Sequence, residues 1–326
     1  MTEITLLVFT YQRIQPLYSL LYSILKSLDH CEPLSCTISV IVAFNEPLPD
    51  FLNDELISSI SNHQNISSFR LLSRSSNLEL DTHLALSFKD CSRGYVWFLS
   101  DDDILYPHSI GVVCSIVHDL SAQNQPNFYP PIYLNWQTQS QESSCRSTHL
   151  SAYKMLSSYE FACLPRSVFF LSAIIIYKAN QSSSIRAYEN FAHLACLLAQ
   201  VQSSGCVAVS DYPLIGYNPQ VDYLDKWLQI FLVSLPSLFD SLVSKGYPID
   251  CVKKIILESL ANKTGYSTIF YLSSKSNFSS RLFYISAVIR WSLYYPPIFT
   301  IIAPCLILLS PLFRLLQRIR CVFKFI

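Results

Sequence analysis

Only six of the 326 residues are glycine, and none lies in the loop after the first apolar run. That scarcity excludes both a dinucleotide-binding fingerprint and a phosphate-cradling P-loop, so any phosphate must be handled by other means. Charge is scarce too. Charged residues make up 14% of the chain against 51% hydrophobic, which excludes a disordered chain and points toward contact with lipid. The eleven cysteines contain no Cys-x-x-Cys pair, and no signal-peptide pattern opens the chain. The thiols therefore read as reduced, small apolar residues of a cytosolic protein, and no zinc–thiolate site is expected. No acidic residue follows Glu258, although eight basic ones do, so the last 68 residues carry +8 and the rest −8. A basic, apolar tail suits an anionic membrane surface. It lacks the polar composition of a nucleic-acid-binding arm, and nucleic acid is not an expected partner.

Apolar runs alternating with helical spacing dominate the first two thirds of the chain. Glu3 to Phe9, Thr37 to Phe44, Ser68 to Leu72 and Tyr95 to Leu99 read as strands, and Ile14 to Leu28, about Pro49 to Ser61 and about Leu78 to Lys89 as helices. Continuous apolar strands alternating with helices imply a mostly parallel sheet covered on both faces, an α/β fold whose ligands gather beyond the carboxyl edge. Further strands are expected at Ile132 to Trp136, Ser172 to Tyr177, Cys206 to Ser210 and Leu214 to Tyr217, with a long helix over Arg186 to Gln202. Trp97 and Trp136 read as core. The expected division is a catalytic domain over 1–218 and a helical extension over 219–326. That extension ends in an apolar segment from Tyr294 to Phe313, which Pro296, Pro297, Pro304 and Pro311 should break, favouring docking on a membrane over a clean span.

Asp101, Asp102 and Asp103 directly follow the Tyr95 to Leu99 strand. Three carboxylates forced together at a sheet edge repel one another, and a divalent cation relieves that. Hard oxygen ligands suit Mg²⁺ or Mn²⁺, which bridge diphosphate oxygens where glycine-rich backbone is lacking. An Asp-rich helix cap is the plain alternative.

The stretch from Asn77 to Asp103 resembles the inverting family 2 glycosyltransferases of the GT-A fold, with the abequosyltransferase-like branch the nearest likeness. The matching positions are Asn77, Asp81, Gly94, Tyr95, Trp97 and Asp101 to Asp103, joined by the opening TLLVFTYQR; the matches span roughly residues 4 to 218. Glu79, His83 and Gln12 depart from the family pattern, which has glycine, asparagine and asparagine there. The resemblance implies transfer of a sugar from a nucleotide-diphosphate donor to a saccharide or lipid-linked acceptor, at the cytoplasmic face of a membrane, in polysaccharide or glycolipid synthesis. It implies a nucleotide pocket lined by Thr10, Tyr11 and Arg13, with Asn45 or Glu46 meeting the base or ribose and Asp81 the base. Asp101 would meet the ribose or a water, and Asp102 or Asp103 the metal. An inverting transfer needs a base near the acceptor. Glu189 is the candidate, and His193, four residues on and on the same helix face, a further metal ligand or acceptor contact. The competing functions are an inactive GT-A-like membrane-associated interaction protein and a metal-dependent nucleotidyltransferase. The latter class normally opens with a glycine-rich loop where this chain has Thr-Tyr-Gln-Arg.

Overall fold

The computed structural model describes residues 2–31, 35–49, 52, 54–123, 128–138, 153–164, 170–179, 191–217, 227–259, 263–295 and 297–323. They form two compact units, one of Met1–Ser158 with Phe169–Pro219, the other of Tyr159–Val168 with Gln220–Ile326.

In the first unit the strands are β1 (Glu3–Thr10), β2 (Thr37–Phe44), β3 (Ile66–Leu72), β4 (Gly94–Ser100), β5 (Ile104–Leu105), β6 (Ile132–Thr138), β7 (Tyr153–Ser157), β8 (Ile174–Lys178) and β9 (Cys206–Tyr217). They make one sheet in the order β3-β2-β1-β4-β8-β6-β9-β5, with β7 also on β9. Strands β1 to β4 pair in parallel, and β6 and β9 run the same way. Strand β8 is antiparallel between β4 and β6, and β5 and β7 are antiparallel to β9. The mostly parallel sheet expected from the apolar runs is thus present. Its direction of travel is fixed by β1, β2 and β4, whose residues Ile4 to Thr10, Ile38 to Phe44 and Tyr95 to Leu99 are buried on both faces. Each such aliphatic side chain contributes about 1.5–3 kcal/mol by leaving water.

The helices of this unit are α1 (Ile14–Asp29), α2 (Asp54–Ser61), α3 (Leu80–Lys89), α4 (Ser109–Ala122), α5 (Ser158–Ala162), which crosses into the second unit, and α6 (Ala192–Ser204). Helix α1 buries Leu17, Leu20, Leu21, Ile24 and Leu28, the one-face spacing of an amphipathic helix. The helix expected from Arg186 starts at Ala192 among the described residues. Gly94 opens β4 at φ 144°, and a Cβ there would stand 2.3 Å from the Glu3 carbonyl oxygen. The glycine of the Gly-x-Tyr-x-Trp pattern is therefore required by the close approach of β1, and its reason is steric.

The second unit holds α7 (Trp227–Gln229), α8 (Leu235–Val243), α9 (Ile249–Ser259), α10 (Lys263–Lys275), α11 (Phe278–Arg290) and α12 (Pro297–Phe323), with a π-helical turn Ile230–Ser234 joining α7 to α8. Pro236, without an N–H, cannot bond the Leu232 carbonyl. The buried Tyr295 hydroxyl donates to that carbonyl at 3.5 Å and to the Phe231 carbonyl at 3.2 Å. One expectation for the tail changes here. Prolines 304 and 311 lie inside one continuous helix. The Ile307 carbonyl, which Pro311 cannot bond, takes the Ser310 hydroxyl at 2.8 Å instead. In the same segment Tyr294, Tyr295, Phe299, Ala303 and Ile307 are buried in the core of their unit. No helix among the described residues is long and apolar enough to cross a membrane.

Candidate functional site at the carboxyl edge of the sheet

Parallel pairing brings the ends of β1, β2 and β4 to one edge. The ladder continues past each strand: Asn45 N donates to the Thr10 carbonyl at 2.9 Å and Asp101 N to the Phe9 carbonyl at 3.2 Å. Thr10, Asn45 and the Asp101 to Asp103 run, far apart in sequence, thereby meet.

The guanidinium of Arg13, just before α1, lies across two of the carboxylates. Its Nη2 is 2.7 Å from Asp101 Oδ1 and its Nη1 donates to Asp102 Oδ2 at 2.8 Å. Asp102 also accepts from the Ser100 hydroxyl at 2.5 Å. Asp103 Oδ2 accepts from the Ser172 hydroxyl at 2.6 Å, and the same hydroxyl oxygen accepts Ser100 N at 2.8 Å. Ser172 is set in turn by Trp97, whose indole N–H donates to the Ser172 carbonyl at 2.7 Å. Trp97 is core, as expected, but its polar atom has this second use. Asp101 and Asp103 are buried, and burial pushes the Asp101 carboxyl up to about 6, with the Arg13 guanidinium and the Thr10 hydroxyl pulling the other way. Only Asp102 keeps solvent exposure, 18% of its side chain. Three adjacent carboxylates thus have three different environments.

Around them the other candidates fall as follows. Tyr11 is exposed at the rim. Gln12, at φ 53°, holds the left-handed backbone that asparagine tolerates better; its N–H donates to Glu46 Oε1 at 2.8 Å, so Glu46 secures the strained turn. Asn45 is buried and its amide is engaged on three sides: Nδ2 donates to Asn77 Oδ1 and to the Leu78 carbonyl, both at 2.8 Å, and Oδ1 accepts Leu78 N at 2.9 Å. Its observed work is to fix the 77–78 loop, which leads into α3. Asp81, in the first turn of α3, is buried and accepts Ala192 N at 3.2 Å, which joins the starts of α3 and α6. His83 is buried with Nε2 3.1 Å from the Ala43 carbonyl, and burial holds its imidazole down at about 4. It is a neutral donor to that carbonyl, packed edge-on to Phe9 at 5.6 Å.

His193 is buried in the first turn of α6. Glu189 lies outside the described residues. Among the described residues no three His, Cys, Asp or Glu side chains converge as a metal site, so Asp102, Asp103 and His193 are not gathered into one ligand set. The physical reason is that Asp103 faces Ser172 inside the protein while Asp102 faces Arg13 at the edge. A cation shared with a diphosphate needs only one or two protein carboxylates. The residues fit that arrangement through Asp102, and do not fit a protein cage.

Two positions escape a reading of the sequence. Ser172 lies in a short helical turn, Leu171–Ala173, just before β8, where the sequence suggested the strand's first residue, and carries no motif. Lys178, fully buried at the end of β8, donates Nζ to the Phe88 and Lys89 carbonyls at 2.8 and 2.9 Å and to that of Cys91. It caps the carboxyl end of α3, where a cation also meets the favourable end of the helix dipole. Trp136, expected in the core, stands half-buried at the end of β6, its ring 5.1 Å from Phe170 and 5.4 Å from Tyr217.

A mostly parallel sheet of this order is a GT-A-like fold. Among solved structures, the chain is similar to TarS of S. aureus, at a TM-score of 0.58 and 11% identity over 90% of this chain and 49% of that one. It is similar to the TarS 1–349 fragment, at 0.55 and 10% identity over 90% and 81%, and to that fragment in complex with UDP-GlcNAc, at 0.51 and 10% identity over 90% and 82%. The chain therefore spans about half the length of the longer TarS chain. At these identities the likeness is one of fold. No family model matches the sequence, and no curated protein matches it.

Proposed function

We propose that this protein is an inverting glycosyltransferase that moves a sugar from a nucleotide-diphosphate donor to a saccharide or lipid-linked acceptor, with Mg²⁺ or Mn²⁺, at the cytoplasmic face of a membrane. The observation that carries the proposal is the Asp101 to Asp103 run at the carboxyl edge of a GT-A-like sheet, with Arg13 bridging its first two members. The UDP-GlcNAc complex of the TarS fragment lends support from the same fold.

In this reading Thr10, Tyr11 and Arg13 line the nucleotide pocket and Asp81 meets the base. Asp101, already half-way to its neutral form near pH 6, offers a hydroxyl or a carboxylate to the ribose. Asp102 holds the divalent ion, which when bound neutralises the departing diphosphate. The Arg13 guanidinium, a planar pair of donors, suits a phosphate oxygen pair. Glu189 takes the proton of the attacking acceptor hydroxyl. A second reading, a GT-A-like protein without activity, draws on the same Arg13 fork, which neutralises the carboxylates without any metal, and on Glu79 and His83 at positions where the family has glycine and asparagine.

Calorimetric titration with UDP-, GDP-, dTDP- and CDP-sugars, with Mn²⁺ and after chelation, separates the two. One donor should bind only with metal, and Asp102→Asn should weaken it by at least about a hundredfold. Glu189→Gln should leave donor affinity intact while slowing turnover about 10²- to 10⁴-fold. Donor binding that survives chelation removes the metal mechanism, and no donor binding at all leaves the inactive reading.

A further inference from the structure

Helix α11 wears its apolar face outward. Phe278, Leu282 and Ile289, spaced for one side of a helix, are between 47% and 65% exposed, and Leu293 in the following turn continues the row at 60%. The opposite side is conventional, with Ala287 and Val288 buried. Single exposed aliphatics need no explanation, but a periodic stripe of them marks an interaction surface. Basic residues flank it: Lys275 at the end of α10, and Arg281 and Arg290 on α11 itself. The Arg290 guanidinium lies 4.9 Å over the Trp291 ring, the pairing of cation and indole favoured where apolar and wet regions meet.

We infer that α11 is an interfacial helix that lies flat on an anionic lipid leaflet, its Phe278–Leu282–Ile289 stripe set among the acyl chains and Lys275 and Arg290 among the headgroups. Charge selects this occupant. A second copy of the chain would bring the same cations face to face, and no carboxylate follows Glu258 to pair with them; acidic headgroups do pair with them. The proposal sharpens only the membrane part of the function proposed above and places contact upstream of the Tyr294 to Phe313 segment. It is tested without donor or acceptor, so its failure leaves the transfer chemistry untouched.

The full chain is sedimented with vesicles of phosphatidylcholine alone and of phosphatidylcholine with phosphatidylglycerol, at low and high salt. The parent should bind the acidic vesicles and weaken with salt. A Lys275→Gln, Arg290→Gln variant should bind them about 25-fold more weakly, about fivefold for each charge. Arg281 is kept, because its guanidinium donates to the Ser276 carbonyl at 3.1 and 2.9 Å and so braces the α10–α11 turn. A Phe278→Ser, Leu282→Ser, Ile289→Ser variant should lose binding about a hundredfold with its melting temperature unmoved, since these side chains face outward. If that variant does not fold, the charge variant decides alone. Variants that bind as the parent does overturn the proposal. So does a parent that ignores acidic vesicles, whether or not it forms a dimer through this stripe.

Discussion

In the first unit the exceptional residues are charges kept inside, and in the second they are carbon kept outside. Asp101 and Asp103 are buried at the carboxyl edge of the sheet and Lys178 at the opposite edge, beside the start of β4, where a domain built for stability alone would place aliphatics. Phe278, Leu282 and Ile289 are exposed on α11, where such a domain would place lysine and glutamate. Both inversions cost folding energy, and they differ in how it is recovered. The buried charges recover it internally, through Arg13, Ser172 and the Phe88, Lys89 and Cys91 carbonyls. The exposed carbon recovers nothing within its own unit, which is why it points to an external phase.

The comparison can be broken most forcefully at Lys178. Lys178→Met removes the donors to the Phe88, Lys89 and Cys91 carbonyls, and urea unfolding should show a loss of about 2–4 kcal/mol. A neutral outcome would mean that the buried charges are not satisfied as described.

A slightly smaller effect separates the titrating groups. The folded-state value of His83 is depressed from 6.5 to about 4, so its contribution to stability is present above pH 6.5 and is lost as pH falls toward 4. Asp101 is raised from 3.8 to about 6, so its contribution is full below 3.8 and is lost as pH rises through 6. In the shared window the two oppose each other and the parent's stability should be nearly flat. His83→Asn removes the first and leaves the second. Relative to the parent it should gain about 3 kcal/mol between neutral pH and pH 4, read from melting curves across that range.

The smallest effect lies at Gln12. Gln12→Asn keeps the amide and suits the positive φ, and should raise stability by about 0.5 kcal/mol in the same melting assay.

How much of this was legible in the sequence depended on whether the signal was local. Strands β1, β2 and β4 are continuous apolar runs, and their order of burial follows directly. Helix α4, with Val112, Val113, Ile116 and Val117 in close succession, has no clear period, and its β-branched content points as easily to a strand. The antiparallel placement of β8 leaves no trace in IIIYK, because strand direction is decided by connections rather than composition. The same holds at the edge. That three carboxylates crowd after β4 is visible in the letters, whereas their division into one partly exposed and two buried groups rests on Arg13, 89 residues from Asp102, and on Ser172, 69 residues from Asp103. The prolines of α12 misled for a different reason: propensity prices the lost backbone bond, but not the Ser310 hydroxyl and the buried Phe299 and Ile307 that offset it.

The indole N–H of Trp97 has an evolutionary consequence. Phenylalanine would fill most of the same volume, yet it would strip the partner from the Ser172 carbonyl and loosen the turn that presents a hydroxyl to Asp103. The position is therefore constrained by a single hydrogen atom as well as by bulk. The side chain thus acts on the acidic run at one remove, through Ser172, without touching it.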